Sequence, residues 1–318
     1  MPLLRIGVAG FGLAGEVFHA PLIAAVDGLE LSAVMTRSPE RAARATEKFP
    51  GVRVVAQLED LLQDIDVLVV ATPNSQHVPM GLAGLERGLA VVVDKPLASS
   101  VADGRRLVDA PGRLTVFQNR RWDGDFLALR EQIGSGELGH VFRLESRFER
   151  FRPEVALEAW RELPDGGGLL LDLGSHLVDQ AILLFGAPLA VYAELDTRRP
   201  GAQVEDDVFI ALEHDGGVRS HLWMSATAPL FGPRFRASGL RGGFASDGLD
   251  PQEADLRAGH PPRGRYVDFY EGVRDWALGN APPPVDPLDS LRVLEVLEAA
   301  RRSSDQRQVV ITNFQRSS

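Results

Sequence analysis

A doubly wound parallel α/β domain followed by an α+β domain is the fold class this sequence predicts, and three observations predict it. Over residues 1–121 short apolar runs alternate with segments of helical periodicity, as strands and covering helices do in a parallel sheet. A glycine turn, Gly10-x-Gly12-x-x-Gly15, directly follows the first of those runs. Beyond residue 122 the runs lengthen and alternate apolar with polar residues, the pattern of a large, mostly antiparallel open sheet with one solvated face. We therefore expect one domain over 1–121 and a second over 122–318.

The elements follow in order. In the first domain Leu4 to Ala9, Leu29 to Met35, Val52 to Val55, Asp66 to Ala71, Ala90 to Val93 and Leu114 to Phe117 read as strands. Pro39 to Phe49 and Ser99 to Asp109 read as amphipathic helices, and Asn74 with Ser75 as an N-cap for a helix over Val78 to Leu85. In the second domain Val141 to Phe151, Leu189 to Thr197, Val204 to Glu213, Val218 to Ala226 and Arg234 to Ala237 read as strands. Gly239 to Pro262, rich in Gly, Asp and Pro, reads as a loop, and Pro287 to Arg302 as a final helix.

Composition excludes several function classes. A formal net charge of -10, with Lys and Arg scattered, argues against nucleic acid or a membrane surface as the main partner. Without cysteine there is no disulfide, thiolate nucleophile or Cys-ligated metal. No apolar stretch is long enough to cross a membrane and the chain enters a strand at once, so a cytoplasmic protein is expected.

The glycine turn lies between a strand and a helix, the context in which glycines allow close backbone approach to a dinucleotide pyrophosphate. Gly10, Gly12, Leu13, Ala14 and Gly15 are the expected cofactor contacts. At the end of the second strand, where an acidic residue would bind the adenosine ribose of NAD, the chain has Thr36-Arg37-Ser38. Arginine and hydroxyl groups suit a 2'-phosphate, so NADP is favoured over NAD, the alternative being an arginine on a solvated loop. Thr72, Pro73 and Asn74 end the fourth strand, at the sheet's carboxyl edge where cofactor contacts are expected. His77 reads as a capping or surface histidine.

Lys95, followed by Pro96, ends the fifth strand at the same edge. An ammonium there can stabilise developing alkoxide character; pairing to Asp94 is the plainer reading. Gly166-Gly167-Gly168 leads into a segment with Asp172 and His176 four residues apart, expected on one helix face. His176 titrates near neutrality and can exchange a proton with a substrate hydroxyl while Asp172 orients it. The same pair could ligate a metal, but no third ligand lies near in sequence and none is expected. Asn119, Arg120, Trp122, Trp160 and Arg161 are candidate polyol contacts, or domain-interface packing.

Taken together, these motifs resemble the Gfo/Idh/MocA oxidoreductase family along essentially the whole chain, with Asp94-Lys95-Pro96 in place of the commoner Glu-Lys-Pro. The resemblance implies an N-terminal Rossmann domain, a C-terminal domain whose open sheet mediates oligomerisation, and catalytic roles for Lys95, Asp172 and His176. Gly12 to Leu22, Gln118 to Phe126 and Gly248 to Glu253 are similar to a branch containing NADP-dependent scyllo-inositol dehydrogenases. It implies hydride transfer between NADP(H) and a secondary alcohol of a cyclic polyol or sugar, in a homodimer or homotetramer. A dehydrogenase or reductase of other sugar specificity, or a non-catalytic dinucleotide-sensing regulator on the same fold, are the alternatives.

Overall fold

Six parallel strands form the first sheet: β1 (Leu4–Ala9), β2 (Leu29–Met35), β3 (Arg53–Val55), β4 (Val67–Val70), β5 (Ala90–Asp94) and β6 (Arg113–Phe117). Their order, β3-β2-β1-β4-β5-β6, reverses direction beside β1, the switch point of a doubly wound sheet. The computed structural model describes residues 2–156, 162–164, 167–230, 232–246, 264–312 and 314. Val67 to Val70 and Ala90 to Val93 are buried throughout, which is why the inner strands read as unbroken β-branched runs. Helices connect the strands: α1 (Ala20–Ala24), α2 (Pro39–Lys48), α3 (Leu58–Leu61), α4 (His77–Glu86) and α5 (Val101–Val108). Ser38 and Ser100 cap α2 and α5 by accepting the Arg41 and Asp103 amides.

The cap expected ahead of α4 differs. Asn74 to Gln76 form a short tight helical turn, α4 starts at His77, and no side chain caps it. Asn74 is buried.

The second sheet is built from β7 (Val141–Glu149), β8 (Ala190–Asp196), β9 (Asp207–Glu213), β10 (Arg219–Ser225), β11 (Phe235–Gly239), β12 (Gly243–Ala245) and β13 (Val310–Ile311). Its order is β12-β11-β7-β10-β9-β8-β13, and every pairing is antiparallel except β7 with β10. Strand β12 lies inside the segment expected to be loop. Its three residues are too few for alternation to stand out, and pairing with β11 makes them a strand.

Helices α6 (Gly124–Gly134) and α7 (Ser175–Phe185) pack on one face of this sheet, as does the latter part of a helix over Pro287–Gln306. Val208, Ile210, Leu212, Leu222 and Met224 point into that core, where each fully buried large side chain contributes about 1.5–3 kcal/mol. The alternating residues Phe209, His221 and Trp223 are only half-buried on the other face.

The described chain divides into two compact units. The first comprises Met1–Asn119 and Arg265–Leu291, the second Arg120–Gly264 and Arg292–Ser318. Helix α8 (Val267–Ala277) belongs to the first unit.

Candidate active site

Gly10 follows β1 with a φ of +99°, and a side-chain carbon there would strike the Ala71 carbonyl oxygen. At Gly15 the same carbon would strike the Gly10 carbonyl oxygen. Both glycines are thus required by main chain, Gly10 by that of Ala71 and Gly15 by that of Gly10. Gly12 differs, since an added carbon would meet open space, with Arg41 Nη1 nearest at 3.9 Å. That opening is the close-approach position a dinucleotide pyrophosphate needs. Leu13 is exposed beside it, and the chain continues as a wide π turn over Ala14–His19 into α1. Such turns concentrate at functional sites.

At the end of β2 the Thr36 hydroxyl accepts the Ser38 amide at 3.3 Å, while the Ser38 hydroxyl accepts the Arg41 amide and donates to Glu40. These hydroxyls build the loop. Arg37 is exposed, its Nε 3.5 Å from the Ala56 carbonyl oxygen, at the limit of a hydrogen bond. Arg41, beside Gly12, is a second cation at this edge. Sequence reading missed it because it lies on α2, where a charged residue at helical spacing reads as solvated face.

The ends of β4 and β5 meet through His77. It is buried, contrary to a surface role, with Nδ1 2.8 Å from the Pro96 carbonyl oxygen and Nε2 2.9 Å from that of Thr72. Burial pushes its pKa down, against the opposing pull of Asp94 and the two carbonyls. His77 therefore ties the Thr72-Pro73-Asn74 loop to the Lys95-Pro96 loop. Thr72 Oγ1 is buried with no hydrogen-bond partner among the described residues, and Pro73 is exposed. An open glycine turn, cations at the β2 edge and an unmatched hydroxyl at the β4 edge fit a bound dinucleotide.

Lys95 is half-buried, and its backbone amide donates to Asp94 Oδ1 at 2.8 Å.

In the second unit Gly168 has a φ of +92°, and a side-chain carbon there would strike the Glu205 carboxylate. Glu205 Oε1 accepts the Leu170 amide at 3.3 Å and its carbonyl accepts the Leu169 amide at 3.2 Å. Glu205 thereby holds the start of the turn that carries Asp172 and leads into the helix carrying His176. It was missed because it is distant in sequence.

That turn is again a wide π turn, over Leu170–Gly174, before α7. Asp172 thus lies in the π turn and His176 in the first turn of α7, rather than both in one regular α-helix. Asp172 is half-buried; His176 is 5% exposed, with its ring edge-on to Phe148 at 6.3 Å.

Arg120 lies over the same Phe148 ring at 4.8 Å and binds Asp123 at 3.2 Å. Buried Arg234 binds Asp123 at 2.7 Å and Asp125 at 2.6 Å, and also lies over Phe148. Arg120 and His176 are thus brought together around one aromatic ring, with the guanidinium supporting that ring. Trp122 is half-buried in this unit, whereas Asn119 is a buried residue of the first. Lys95 belongs to the first unit, Asp172 and His176 to the second. Trp160, Arg161 and Gly166 lie outside the described residues, as do Gly248 to Glu253.

Among the described residues no three His, Asp or Glu side chains are grouped to hold a metal, and no helix is long and apolar enough to cross a membrane.

Comparison with known proteins agrees along the chain. Residues 4–116 match the oxidoreductase family with an NAD-binding Rossmann fold, and residues 126–245 match the GFO/IDH/MocA C-terminal domain. The uncharacterized oxidoreductase YdgJ of Escherichia coli is 38% identical, covering 96% of this chain and 97% of its own. The scyllo-inositol 2-dehydrogenase (NADP(+)) IolW of Bacillus subtilis is 31% identical, covering 97% and 96%. The solved structure of YPO2259 from Yersinia pestis superposes with a TM-score of 0.89 at 34% identity, covering 98% and 97%.

Proposed function

This chain belongs to the Gfo/Idh/MocA oxidoreductase family, and we propose that it transfers a hydride between NADP(H) and a secondary alcohol or ketone of a cyclic polyol or sugar in the cytoplasm. The observation that carries the reading is Lys95, anchored through Asp94 at the carboxyl edge beside the open glycine turn. The chain also carries Asp172 and His176 after a second glycine turn. IolW, similar over nearly the whole length, supports an inositol-like substrate and NADP.

The bound nicotinamide supplies the hydride-accepting or hydride-donating carbon. Gly12 leaves room for the pyrophosphate, and the Thr72 hydroxyl offers an unmatched polar group at the same edge. Arg37 and Arg41 supply positive charge for a 2'-phosphate, which an acidic residue would repel. The Lys95 ammonium polarises the substrate oxygen and stabilises alkoxide character on it. His176 takes the hydroxyl proton in oxidation and returns it in reduction, with Asp172 orienting the imidazole. Phe148, flanked by Arg120 and Arg234, fixes one side of the His176 ring.

The half-buried aromatic face of the second sheet supports a homodimer or homotetramer. Phe209 and Trp223 pack there with tilted rings whose centroids are 5.2 Å apart, and Arg147 lies over Trp223 at 4.0 Å. Light scattering at micromolar concentration tests this, and a monomer would refute it.

The deciding experiment measures NADP+ and NAD+ reduction with a panel of inositols and aldoses. His176→Ala is expected to lower turnover on the accepted substrate by roughly 10²–10⁴-fold, with cofactor binding kept. Arg37→Ala should narrow the gap between NADP and NAD. Full activity of His176→Ala would remove the proton-transfer role.

A further inference from the structure

We propose that His19 and Tyr270 are positioning residues for Lys95, acting through Asp94. The inference rests on the reading of Lys95 above and extends it to residues that touch neither substrate nor cofactor.

His19 is the last residue of the wide turn that follows the glycine motif, and Tyr270 lies on α8. Both are wholly buried. His19 Nδ1 is 2.6 Å from the Tyr270 hydroxyl, and Nε2 is 3.7 Å from Asp94 Oδ2, an electrostatic approach longer than a hydrogen bond. The other Asp94 oxygen, Oδ1, receives the Lys95 amide. The imidazole packs 4.4 Å from the Phe117 ring, which meets Phe269 at 4.9 Å.

The chain has a direction. Burial, with the charge of Asp94, pushes the Tyr270 hydroxyl well above its ordinary range, so it is protonated at neutral pH and can donate. Burial works to raise the Asp94 pKa, but His19, Lys95 and His77 outweigh it and hold the carboxyl below its ordinary value. With a protonated phenol at Nδ1 and an anion facing Nε2, the geometry favours the tautomer that accepts at Nδ1 and carries its proton on Nε2. The opposite tautomer would set a bare nitrogen lone pair against a carboxylate. Polar contacts at both Asp94 oxygens restrict rotation of the carboxylate that anchors Lys95. The same imidazole is part of the turn that begins at the cofactor motif. The place where Lys95 leaves β5 is therefore tied to the glycine turn through the protein interior.

The first measurement is nitrogen-15 NMR of histidine-labelled protein. His19 should show the Nε2–H tautomer, and Tyr270→Phe, which removes one oxygen, should shift it. An Nδ1–H tautomer in the unaltered protein would overturn the proposal. The second measurement compares variants on the substrate that the panel of inositols and aldoses identifies. His19→Leu should lower kcat roughly tenfold or more, as misplacement of a catalytic group does, with the KM for cofactor within about twofold. His19→Gln, whose amide nitrogen lies as far along the side chain as Nε2, should recover most of the loss. His19→Asn, which reproduces only the Nδ1 position, should not. If His19 acts through Lys95, Lys95→Ala/His19→Leu should be no slower than Lys95→Ala. Independent, additive losses would overturn the proposal. Full activity of Lys95→Ala would instead refute the underlying role of Lys95, which the tautomer measurement does not depend on. Should His19→Leu fail to fold, Tyr270→Phe carries the kinetic test, and unchanged kcat there would overturn the proposal.

Discussion

Gly10 and Gly168 each hold a left-handed backbone, at φ values of +99° and +92°, shortly before a helix that opens with a wide π turn. The two turns are locked by different means. At Gly10 the obstacle to a side chain is the Ala71 carbonyl, main chain at the end of the neighbouring strand. At Gly168 it is the carboxylate of Glu205, a side chain 35 residues from the Leu170 amide it accepts. A main-chain lock stays whatever the surrounding side chains are. A side-chain lock can be removed by one substitution, so the second turn's shape is conditional on a distant residue.

The largest effect that would sharpen this contrast is expected for Gly10→Ala. It combines an unfavourable φ with a clash that no rotamer change relieves, and should destabilise the protein by more than about 3 kcal/mol. Thermal unfolding with a cofactor titration checks it, and a variant of normal stability would break the comparison. Gly168→Ala should cost about 2 kcal/mol, because the obstructing group can swing away. Adding Glu205→Ala should recover part of that loss, giving a coupling of about 1 kcal/mol in a double-mutant cycle of denaturant midpoints. Strict additivity would mean the carboxylate is not what locks the turn. Smallest for the fold is Gly12→Ala, whose added carbon meets open space and whose stability should stay within about 0.5 kcal/mol. Its cofactor affinity should nonetheless fall at least about tenfold, since this is the close-approach glycine. Unimpaired binding would remove Gly12 from the cofactor site.

Much of the first unit was legible because its signals are local. Strand-helix alternation located all six strands to within a residue or so at each end, and the glycine spacing located the turn. Lys95 was legible as the residue leaving a buried strand. The partners that hold it were not, since Tyr270 returns from far along the chain and His77 is buried only because two strand ends converge on its ring. In the second unit the five long strands were visible by alternation, while β12 was hidden among glycines. Arg120 read as a free polar contact because nothing in the sequence indicates that Asp123 and Phe148 receive its guanidinium.

The sequence by itself determined which segments are strands and helices, where a left-handed glycine must sit, and which charged residues end a strand. Periodicity and turn chemistry are properties of neighbouring residues, so one chain read in order contains them. Only the tertiary structure decided the order β12-β11-β7-β10-β9-β8-β13 with its single parallel pair, the wide turn over Leu170–Gly174, and the buried environments of His19, His77 and Glu205. Those depend on contacts between residues distant along the chain, where register, burial and the local field are set by the partner and not by the neighbours in sequence.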